Sequence, residues 1–434
     1  MSFQTASQEL DSRIQKQGAI TFAEFMSLAL YSPNGGYYTH LENFSAYQDY
    51  YTSPSSHPIF GALLTIQIFQ MWQKLNKPDP FWIIELGASN GLLCHDIVKF
   101  SAHLPEGFPD TLRYLCVDFR KTLGFESKLP NYNDVLGRIS ASQLPLVPLV
   151  GCILSNELLD SFPLHVFQQQ NGELQEVYVT TSADGFMEQL GPPSTNALEE
   201  RLDNLQIHLG EGQRAEINLS LAGWFSEVAN CLERGYLLTV DYGQDATDLY
   251  SRKRPNGTLT CYFDHIQTNN PFLRVGLQDL TTHVDFTTVK KLGIDVGLHP
   301  VAYLTQSKAL HNLGIRHMIS LVRESQLSQT EKDANRMGML DLVRPEGMGD
   351  FKMLIQQKDP SEGQLWCETP DNDLEDMLHG LPLQLMTKSH VSSMAAKYPH
   401  LIHAWRTWDP PVSYTHLRAH ETRHDLVCRL LLEK

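Results

Sequence analysis

The sequence lacks any long hydrophobic run. Among its 434 residues no stretch of about 18 consecutive apolar residues occurs, so the sequence predicts no membrane-spanning helix. The first residues, MSFQTASQELDSRIQKQG, have neither the apolar core of a secretory signal nor the arginine-rich, acid-free composition of a transit peptide. The expected location is therefore the cytoplasm.

An excess of positive charge is also missing. The sequence has 34 Lys and Arg against 50 Asp and Glu, a formal net charge of −16 at pH 7. Binding to a nucleic-acid backbone needs a basic face, so the composition argues against a nucleic-acid partner. A basic peptide or protein substrate is compatible with it. The 42% hydrophobic and 19% charged content is that of a globular protein.

No two of the seven cysteines form a CxxC pair. Scattered cysteines of this kind are typical of reduced thiols in a core. We therefore predict neither a disulfide framework nor a metal site. The cysteines stand at positions 94, 116, 152, 231, 261, 367 and 428.

The dinucleotide fingerprint GxGxxG is absent, but a related turn is present. FWIIELGASNGLLCHDIVKF, residues 81–100, indicates a strand, a glycine turn and a helix, the arrangement with which α/β proteins hold nucleotide-like cofactors. The turn resembles the acidic-x-Gly-x-x-x-Gly turn of S-adenosylmethionine (SAM) methyltransferases, although a turn needed only for packing would look similar. On the cofactor interpretation, Glu85 lies near the amino-acid end of SAM and the backbone passes close to it at Gly87. The predicted cofactor-binding residues of the turn are Glu85, Gly87, Ala88, Ser89 and Gly91.

Asp118 ends the next strand-like segment, RYLCVDF (113–119). A carboxylate at this place can accept hydrogen bonds from both hydroxyls of a ribose. Alone it would be interpreted as an exposed loop acid. Together with the glycine turn it predicts a ligand that carries adenosine.

Strand-like and helical segments alternate along the chain, which predicts an α/β fold with a doubly wound sheet. Ahead of the sheet, GAITFAEFMSLALY predicts a helix capped by Thr21. Asn171-Gly172 between two alternating runs predicts a hairpin. Residues 216–235 predict a helix that leads back into the sheet and ends at Gly235. The other strand-like segments are VGCILSNELLD (150–160), GYLLTVDYG (235–243) and GDFKMLIQQ.

These segments predict a helical N-terminal layer over residues 1–80 and a Rossmann-like domain over 81–358, with an antiparallel and helical insertion at about 164–215. Residues 359–411 are loop-like and polar, an extension without a functional interpretation. The last 23 residues, 412–434, resemble the translation of a sequencing adapter, so we expect them to be non-native; a short amphipathic helix is the alternative. Three histidines in this tail, His416, His420 and His424, are not interpreted as a metal site.

Polar residues follow a buried strand in ILSNELLDSFP, residues 153–163. The carboxyl ends of parallel strands are where open α/β folds bind ligands. Asn156, Glu157 and Asp160 are therefore the candidate catalytic residues, with capping of a short helix as the alternative.

Two further segments carry candidate residues of the substrate cleft. Asp241 and Tyr242 end the strand of GYLLTVDYG, at the same predicted sheet edge. VGLQDLTTHVDF (275–286) crowds titratable groups, among them Asp279 and His283. His283 stands between acids that would raise its pKa and make it a proton acceptor. A structural hydrogen-bonding role for His283 is the favoured alternative.

The chain resembles the MidA-like family of SAM-dependent methyltransferases, whose mitochondrial members are protein-arginine methyltransferases that act in complex I assembly. The resemblance implies a Rossmann-like fold with inserted helices, SAM as the cofactor and a protein substrate, such as a respiratory complex I subunit. A small-molecule methyltransferase and a non-catalytic assembly factor remain alternatives. The matching segments are ITFAEFMSLALYSPNGGYYT, YYTSPSSHPIFG, IELGASNGLL, NELLDSFPLHVF, LLTVDYG, GTLTCYFDH, VGLQDLTTHVDF and MGDFKML.

The chain departs from the family pattern at two serines. Ser89 stands where the family's cofactor turn has a glycine, and Ser55 where an acidic residue follows TSP. SNELLDSF is similar to the SELLGSF loop of symmetric arginine methyltransferases, which implies Glu157 as a guanidinium ligand. The second loop glutamate of those enzymes corresponds to Val166 here, so Asp160 would have to replace it.

Overall fold

The computed structural model describes residues 5–39, 51–105, 107–118, 148–359, 363–387 and 389–391, and the backbone of strand 136–140. Predictions about residues 392–411 and about the tail 412–434 lie outside the described residues. Among the described residues, no helix combines the length and the apolarity that crossing a bilayer would need.

Helices and strands alternate along much of the chain. The α-helices are α1 (Ala6–Gln17), α2 (Phe22–Tyr31), α3 (Ser53–Ser56), α4 (Ile59–Lys74), α5 (Leu92–Ser101), α6 (Phe108–Thr111), α7 (Ala197–Leu205), α8 (Leu221–Cys231), α9 (Ala246–Leu249), α10 (Phe286–Asp295), α11 (Gln306–Asn312), α12 (Ile315–Glu324), α13 (Gln329–Asp341) and α14 (Asn372–Gly380). The strands are β1 (Ile20–Thr21), β2 (Phe81–Leu86), β3 (Leu112–Asp118), β4 (Leu136–Ser140), β5 (Leu149–Asn156), β6 (His165–Gln170), β7 (Glu173–Ser182), β8 (Gly185–Gly191), β9 (Arg214–Ile217), β10 (Leu232–Asp241), β11 (Gly243–Gln244), β12 (Thr260–Phe263), β13 (Ile266–Thr268), β14 (Asp279–Thr281), β15 (Val284–Asp285), β16 (Leu298–Thr305) and β17 (Lys352–Lys358).

The described residues divide into two compact units. The sheet unit comprises those of 51–156, 227–240 and 297–434, and the insertion unit those of 1–50, 157–226 and 241–296. The segments grouped above as one N-terminal layer therefore belong to different units, α1 and α2 to the insertion unit and α4 to the sheet unit.

A seven-stranded sheet in the order β16-β17-β10-β5-β2-β3-β4 forms the centre of the sheet unit. The pairs β10–β5, β5–β2, β2–β3 and β3–β4 are parallel, and the edge pair β16–β17 is antiparallel. The predicted α/β fold with its doubly wound type of sheet is confirmed. The strands predicted at the glycine turn, at RYLCVDF and at GDFKMLIQQ are β2, β3 and β17.

The predicted helix over 216–235 was wrong at both ends. Residues 216–217 end β9, which pairs with β6, and the helix itself is α8. Gly235 lies within β10 at a φ of 143° and has no capping role there. A Cβ on Gly235 would clash with the carbonyl oxygen of Gly151, so the close approach of β5 and β10 requires glycine.

The core of the sheet unit is built on α4, which is mostly apolar and is buried on all sides from Ile59 to Trp72. A helix with this composition must be covered by other elements, because no face of it suits water. Part of the cover comes from residues 363–391. Cys367 N–H donates to Gln67 Oε1 and Trp366 N–H donates to Gln70 Oε1, both at 2.8 Å.

Residues 363–391 are therefore an integral part of the sheet unit. The prediction of a loop-like extension was wrong for 372–380, which are helical. They contain α14, capped by the side chain of Asp371. His390 is fully buried, and its Nε2 lies 3.0 Å from Oδ2 of Asp96 in α5. Burial of Asp96 is offset by the neighbouring His390 and His95, and the pKa of the Asp96 carboxyl falls to about 2.

The insertion unit contains an antiparallel sheet in the order β1-β7-β6-β9, with β8 paired to β7. Asn171 and Gly172 connect β6 and β7 with positive φ angles of 54° and 78°, as a tight hairpin turn requires. The predicted hairpin is confirmed. The predicted cap is confirmed too, since Thr21 Oγ1 accepts a hydrogen bond from Glu24 N at 3.2 Å.

His57 makes the sheet unit sensitive to acid. The ring is fully buried, its Nδ1 accepts the N–H of Ile59 and its Nε2 lies 3.1 Å from Asn335 Oδ1, so it is held neutral. Burial and the nearby His390 lower the pKa of His57 to about 3, against the opposing effects of Asn335 and Asp96.

We predict that the free energy of unfolding falls as the pH decreases from 6.5 toward 3. In this range the unfolded state binds a proton at His57 that the folded state excludes, so acid favours unfolding. The loss amounts to roughly 2 kcal/mol between pH 6.5 and 4.5. Urea unfolding at several pH values measures it. His57→Gln should flatten this dependence, whereas His299→Gln, at an exposed position of β16, should preserve it; identical slopes for parent and His57→Gln would contradict the account.

Candidate functional site

The glycine turn after β2 has a backbone that few residues adopt. Gly87, Ser89 and Gly91 have φ angles of 70°, 52° and 72°, in the left-handed region that favours glycine. Gly87 N–H and Ala88 N–H both point to Val117 O, at 2.9 and 3.3 Å. The turn is thus fixed to the end of β3. Serine at 89 keeps this conformation with a small side chain, so the departure from the family pattern is compatible with the turn.

Asp118 joins the end of β3 to this turn. Its Oδ2 accepts a hydrogen bond from Ser89 N–H at 2.8 Å, and the residue is half-buried. The carboxylate therefore holds the turn in place. It also lies where the sequence predicts a ribose-binding carboxylate. Binding of the ribose hydroxyls by Asp118 stays a prediction.

Glu85 lies beneath the turn, in the interior of the sheet unit. Its side chain is buried, and Tyr114 Oη donates to Glu85 Oε2 at 2.8 Å. Burial, together with the nearby Asp118 and Asp96, raises the pKa of Glu85 to about 8, against the opposing hydrogen bond from Tyr114. Ligand atoms of Glu85, Cys94 and Cys116 lie within 4.8 Å of one another. Because burial also raises the pKa of Cys94 well above its usual value, we expect both groups to be neutral at pH 7.

The described cysteines are buried free thiols, as predicted: Cys94, Cys116, Cys152, Cys231, Cys261 and Cys367. Cys428 lies outside the described residues.

The candidate catalytic segment begins where β5 ends. Asn156 is the last residue of β5 and pairs with Val240 of β10. Glu157 opens the insertion unit with a φ of 49°, an unusual conformation for a residue with a side chain. A short 3-10 turn, Leu159–Ser161, follows and positions Asp160.

Asp241, at the end of β10, organises this turn from within the insertion unit. Its Oδ2 accepts the N–H groups of Leu158 and Leu159 at 3.2 and 2.9 Å, and its Oδ1 accepts that of Tyr242 at 2.9 Å. Burial raises the pKa of Asp241 well above its usual value, and the nearby Asp160 and Glu157 add to the shift. Asp241 is thus predicted to position the site through the backbone.

Asp160 is the centre of the candidate catalytic cluster. The residue is 6% exposed, and its Oδ2 accepts hydrogen bonds from Tyr242 Oη at 2.6 Å and Thr281 Oγ1 at 2.7 Å. Its Oδ1 is buried without a hydrogen-bond partner among the described residues. Burial raises the pKa of the Asp160 carboxyl, against the opposing effects of the Tyr242 and Thr281 hydroxyls and of the nearby backbone N–H groups of Asp160 and Ser161. A buried carboxylate oxygen without a donor is costly in a folded protein, so it indicates a place where a ligand donates.

Aromatic residues that the sequence analysis did not select complete the cluster. Tyr38 Oη donates to Asp279 Oδ1 at 2.8 Å, and Tyr31 Oη donates to Ser161 O at 3.0 Å. The two tyrosine rings stack with centroids 5.5 Å apart. Both tyrosines lie in one of the segments that carry the family resemblance, which is the signal that would have identified them.

His283 contradicts one expectation. Burial and the nearby Arg254 lower the pKa of His283 to about 4, so the expectation that neighbouring acids raise it was wrong. The ring packs edge-on against Tyr242 with centroids 5.4 Å apart. Its Nδ1 is buried without a hydrogen-bond partner among the described residues. His283 is neutral near pH 7, and its lowered pKa makes it a weaker proton acceptor than an ordinary histidine.

Of the predicted residues, the insertion unit brings together Asp160, Tyr242, Asp241 and Asp279, with Thr281 added by the structure. The sheet unit brings together the glycine turn and Asp118. The turn has the left-handed backbone and the strand-end carboxylate that an adenosine-bearing cofactor needs, so the residues fit such a group. These features define a cofactor-dependent α/β enzyme.

The family model for S-adenosyl-L-methionine-dependent methyltransferases matches residues 63–304, more than half of the chain. The chain belongs to this family. The resemblance to its MidA-like members and the prediction of SAM as the cofactor are confirmed.

Curated relatives carry more specific names. A Drosophila melanogaster protein named "Protein arginine methyltransferase NDUFAF7 homolog, mitochondrial" is 28% identical over 310 residues, which are 65% of this chain and 69% of the relative. The Danio rerio protein arginine methyltransferase NDUFAF7 is 27% identical over 79% of this chain and 84% of its own length. The human protein of that name is 25% identical over 80% and 82%.

Solved structures from Burkholderia thailandensis share the fold. One matches with a TM-score of 0.74 and 25% identity over 84% of this chain and 94% of its own. Another, bound to S-adenosyl-homocysteine, has the same TM-score and coverage at 23% identity.

We predict that Asp118→Asn weakens SAM binding by roughly 10-fold or more, because the amide cannot offer a second acceptor oxygen and lacks the charge that strengthens hydrogen bonds from a ribose diol. The amide oxygen can still accept from Ser89 N–H, so the turn should persist. Calorimetric titration with SAM measures the affinity. Asp110→Asn, at an exposed position in the same unit, is the control. Parental affinity in Asp118→Asn would show that the carboxylate serves the turn alone.

Proposed function

We propose that the protein is a protein-arginine N-methyltransferase. Its proposed substrate is a protein that takes part in the assembly of respiratory complex I or of a counterpart complex. The names of its curated relatives support arginine methylation, and the resemblance to the MidA-like family supports the link to complex I. The observation that carries the proposal is the buried Asp160 Oδ1 without a donor, in a cluster of acids that also contains Asp241 and Asp279.

Such a cluster favours a cation that donates several hydrogen bonds. A guanidinium is planar, always charged and equipped with five N–H donors in a fixed fork. Bound to Asp160 it would satisfy Oδ1 and return the raised pKa of the carboxyl toward its ordinary range, because a nearby opposite charge favours the ionised form. An ammonium would satisfy the charge but lacks the planar set of five N–H donors.

Methylation of arginine sets requirements that these residues meet. When bound, the cofactor would supply an electrophilic methyl group on a sulfonium, to which a guanidinium nitrogen would bond as the S–C bond breaks, with release of one proton from the nitrogen. In the proposed arrangement Asp160 orients the guanidinium and localises its charge. Glu157, which is half-exposed, is the second carboxylate and accepts the proton for release to solvent.

The backbone at Glu157 supports this role. A φ of 49° costs a residue with a Cβ of the order of 1 kcal/mol. Such conformations concentrate at active sites, where the surrounding structure fixes them. At the exit of β5 the unusual conformation starts the turn that presents Asp160.

Transfer to protein arginine is tested with labelled SAM, a cell extract and the purified protein. We predict a labelled protein whose acid hydrolysate contains methylarginine. Asp160→Asn should lower this transfer by roughly 10²-fold, the size of a lost orienting or acid–base group, and should leave SAM affinity unchanged.

The control for this test is Asp184→Asn, an exposed acid in the β7–β8 turn of the same unit. Label in a small molecule, or label in no product, would refute the proposed function. Near-parental transfer by Asp160→Asn would refute the role of the buried carboxylate.

Glu157→Gln should also reduce turnover by roughly 10²-fold while SAM affinity is kept, because the amide can accept a hydrogen bond but cannot take up the proton. Single-turnover methylation under saturating SAM measures the rate, with Glu173→Gln at the exposed hairpin as the matched variant. If Glu157→Gln transfers methyl groups at the parental rate, the arginine mechanism loses its proton acceptor.

A further inference from the structure

A small cavity lies within the insertion unit, beside the Asp160 cluster. The volume of the cavity itself is about 30 Å³. The wider space around it, which includes open solvent, is about 410 Å³. A volume of this size holds about two water molecules or one small planar polar group. Leu159 and Thr282 line it. Leu159 directly precedes Asp160 in the sequence, and Thr282 directly follows Thr281. The cavity is therefore next to the cluster.

The two acids of the cavity already have donors from the protein. Glu216 accepts hydrogen bonds from Thr258 N, Thr258 Oγ1 and Leu259 N. Asp285 caps α10 and accepts from the N–H groups of Thr287 and Thr288 and from Thr288 Oγ1. Both carboxylates therefore have most of their hydrogen-bonding capacity filled by the protein.

The two basic side chains of the cavity, Arg201 and His283, have fewer partners from the protein. Arg201, in α7, has no ion pair or hydrogen bond among the described residues, although its charge acts on Asp285. His283 carries the buried Nδ1 that lacks a partner among those residues, and its ring is neutral near pH 7. A guanidinium and an imidazole N–H are donors, and together they suit a carboxylate.

We infer that the cavity is a subsite for a carboxylate of the substrate, bound by Arg201 and His283. The inference rests on the proposed function and adds a preference for peptides that carry an acidic residue near the target arginine. Asp160 would receive the guanidinium, and the neighbouring cavity would receive an acidic side chain close in sequence to the target arginine. Two adjoining subsites of opposite polarity then select one orientation of the peptide, as complementary charges do in other complexes.

The test compares two peptides, one with a glutamate next to the target arginine and one with glutamine in its place. Binding is measured by fluorescence anisotropy with S-adenosyl-homocysteine present, and methylation is measured separately. For the parent we expect the glutamate peptide to bind roughly 10-fold or more tightly than the glutamine peptide, the scale of a charge-assisted hydrogen bond. The glutamate is placed in turn at each of the two positions on either side of the arginine.

Arg201→Gln should remove this preference by weakening the glutamate peptide alone, with KM raised and kcat unchanged. Arg201→Lys, which keeps the charge, should restore part of the preference. Arg252→Gln, at an exposed position of the same unit, is the matched control. A KM change of the same size for both peptides would indicate a structural effect of Arg201 and would overturn the subsite.

The outcomes separate the subsite from the proposed function. Methylation of both peptides without a binding preference would overturn the subsite and leave the function standing. A preference that depends on Arg201, without methylation of either peptide, would support the subsite and refute the function. Methylation of free arginine but of no peptide would overturn the acidic side chain as the occupant.

Discussion

The burial of one carboxylate determines the rest of the insertion unit's site. Asp160 has exchanged water for two hydroxyl donors on Oδ2, while Oδ1 has no donor among the described residues. Taking a charge out of water costs several kcal/mol unless partners replace the water. The missing hydrogen bond on Oδ1 is supplied only when a cation with several N–H donors binds. The unsatisfied oxygen therefore indicates the chemistry of the ligand.

Other contacts of the unit hold that carboxylate in place. Thr282 N–H donates to the backbone oxygen of Asp160 at 3.0 Å, and Asp241 fixes the preceding turn by accepting two of its N–H groups. Tyr38 binds Asp279 of β14, the strand that also supplies Thr281. The acids thus have different functions. Asp241 and Asp279 are engaged by protein donors, and Asp160 retains an oxygen for a substrate.

Much of the fold could be predicted because its signals are local. The strand and turn of residues 81–91, the cap at Thr21 and the hairpin at Asn171-Gly172 each lie within a few residues. The errors concern contacts between distant residues. Gln67 binds the backbone of Cys367 across 300 positions, so residues 363–391 looked loop-like although they cover α4. His283 stands between acids in the sequence, yet burial lowers its pKa, and Thr281 reaches Asp160 across 121 positions. The hydrophobic periodicity of a sequence does not predict such contacts between distant residues.

The central claim is that Asp160 Oδ1 receives a guanidinium nitrogen. A crystal structure of the protein with S-adenosyl-homocysteine and an arginine peptide tests it most directly. The account predicts a guanidinium nitrogen at about 2.7–2.9 Å from Asp160 Oδ1, the distance of a charge-assisted hydrogen bond. An ordered water on Asp160 Oδ1, with the guanidinium bound elsewhere, would contradict it.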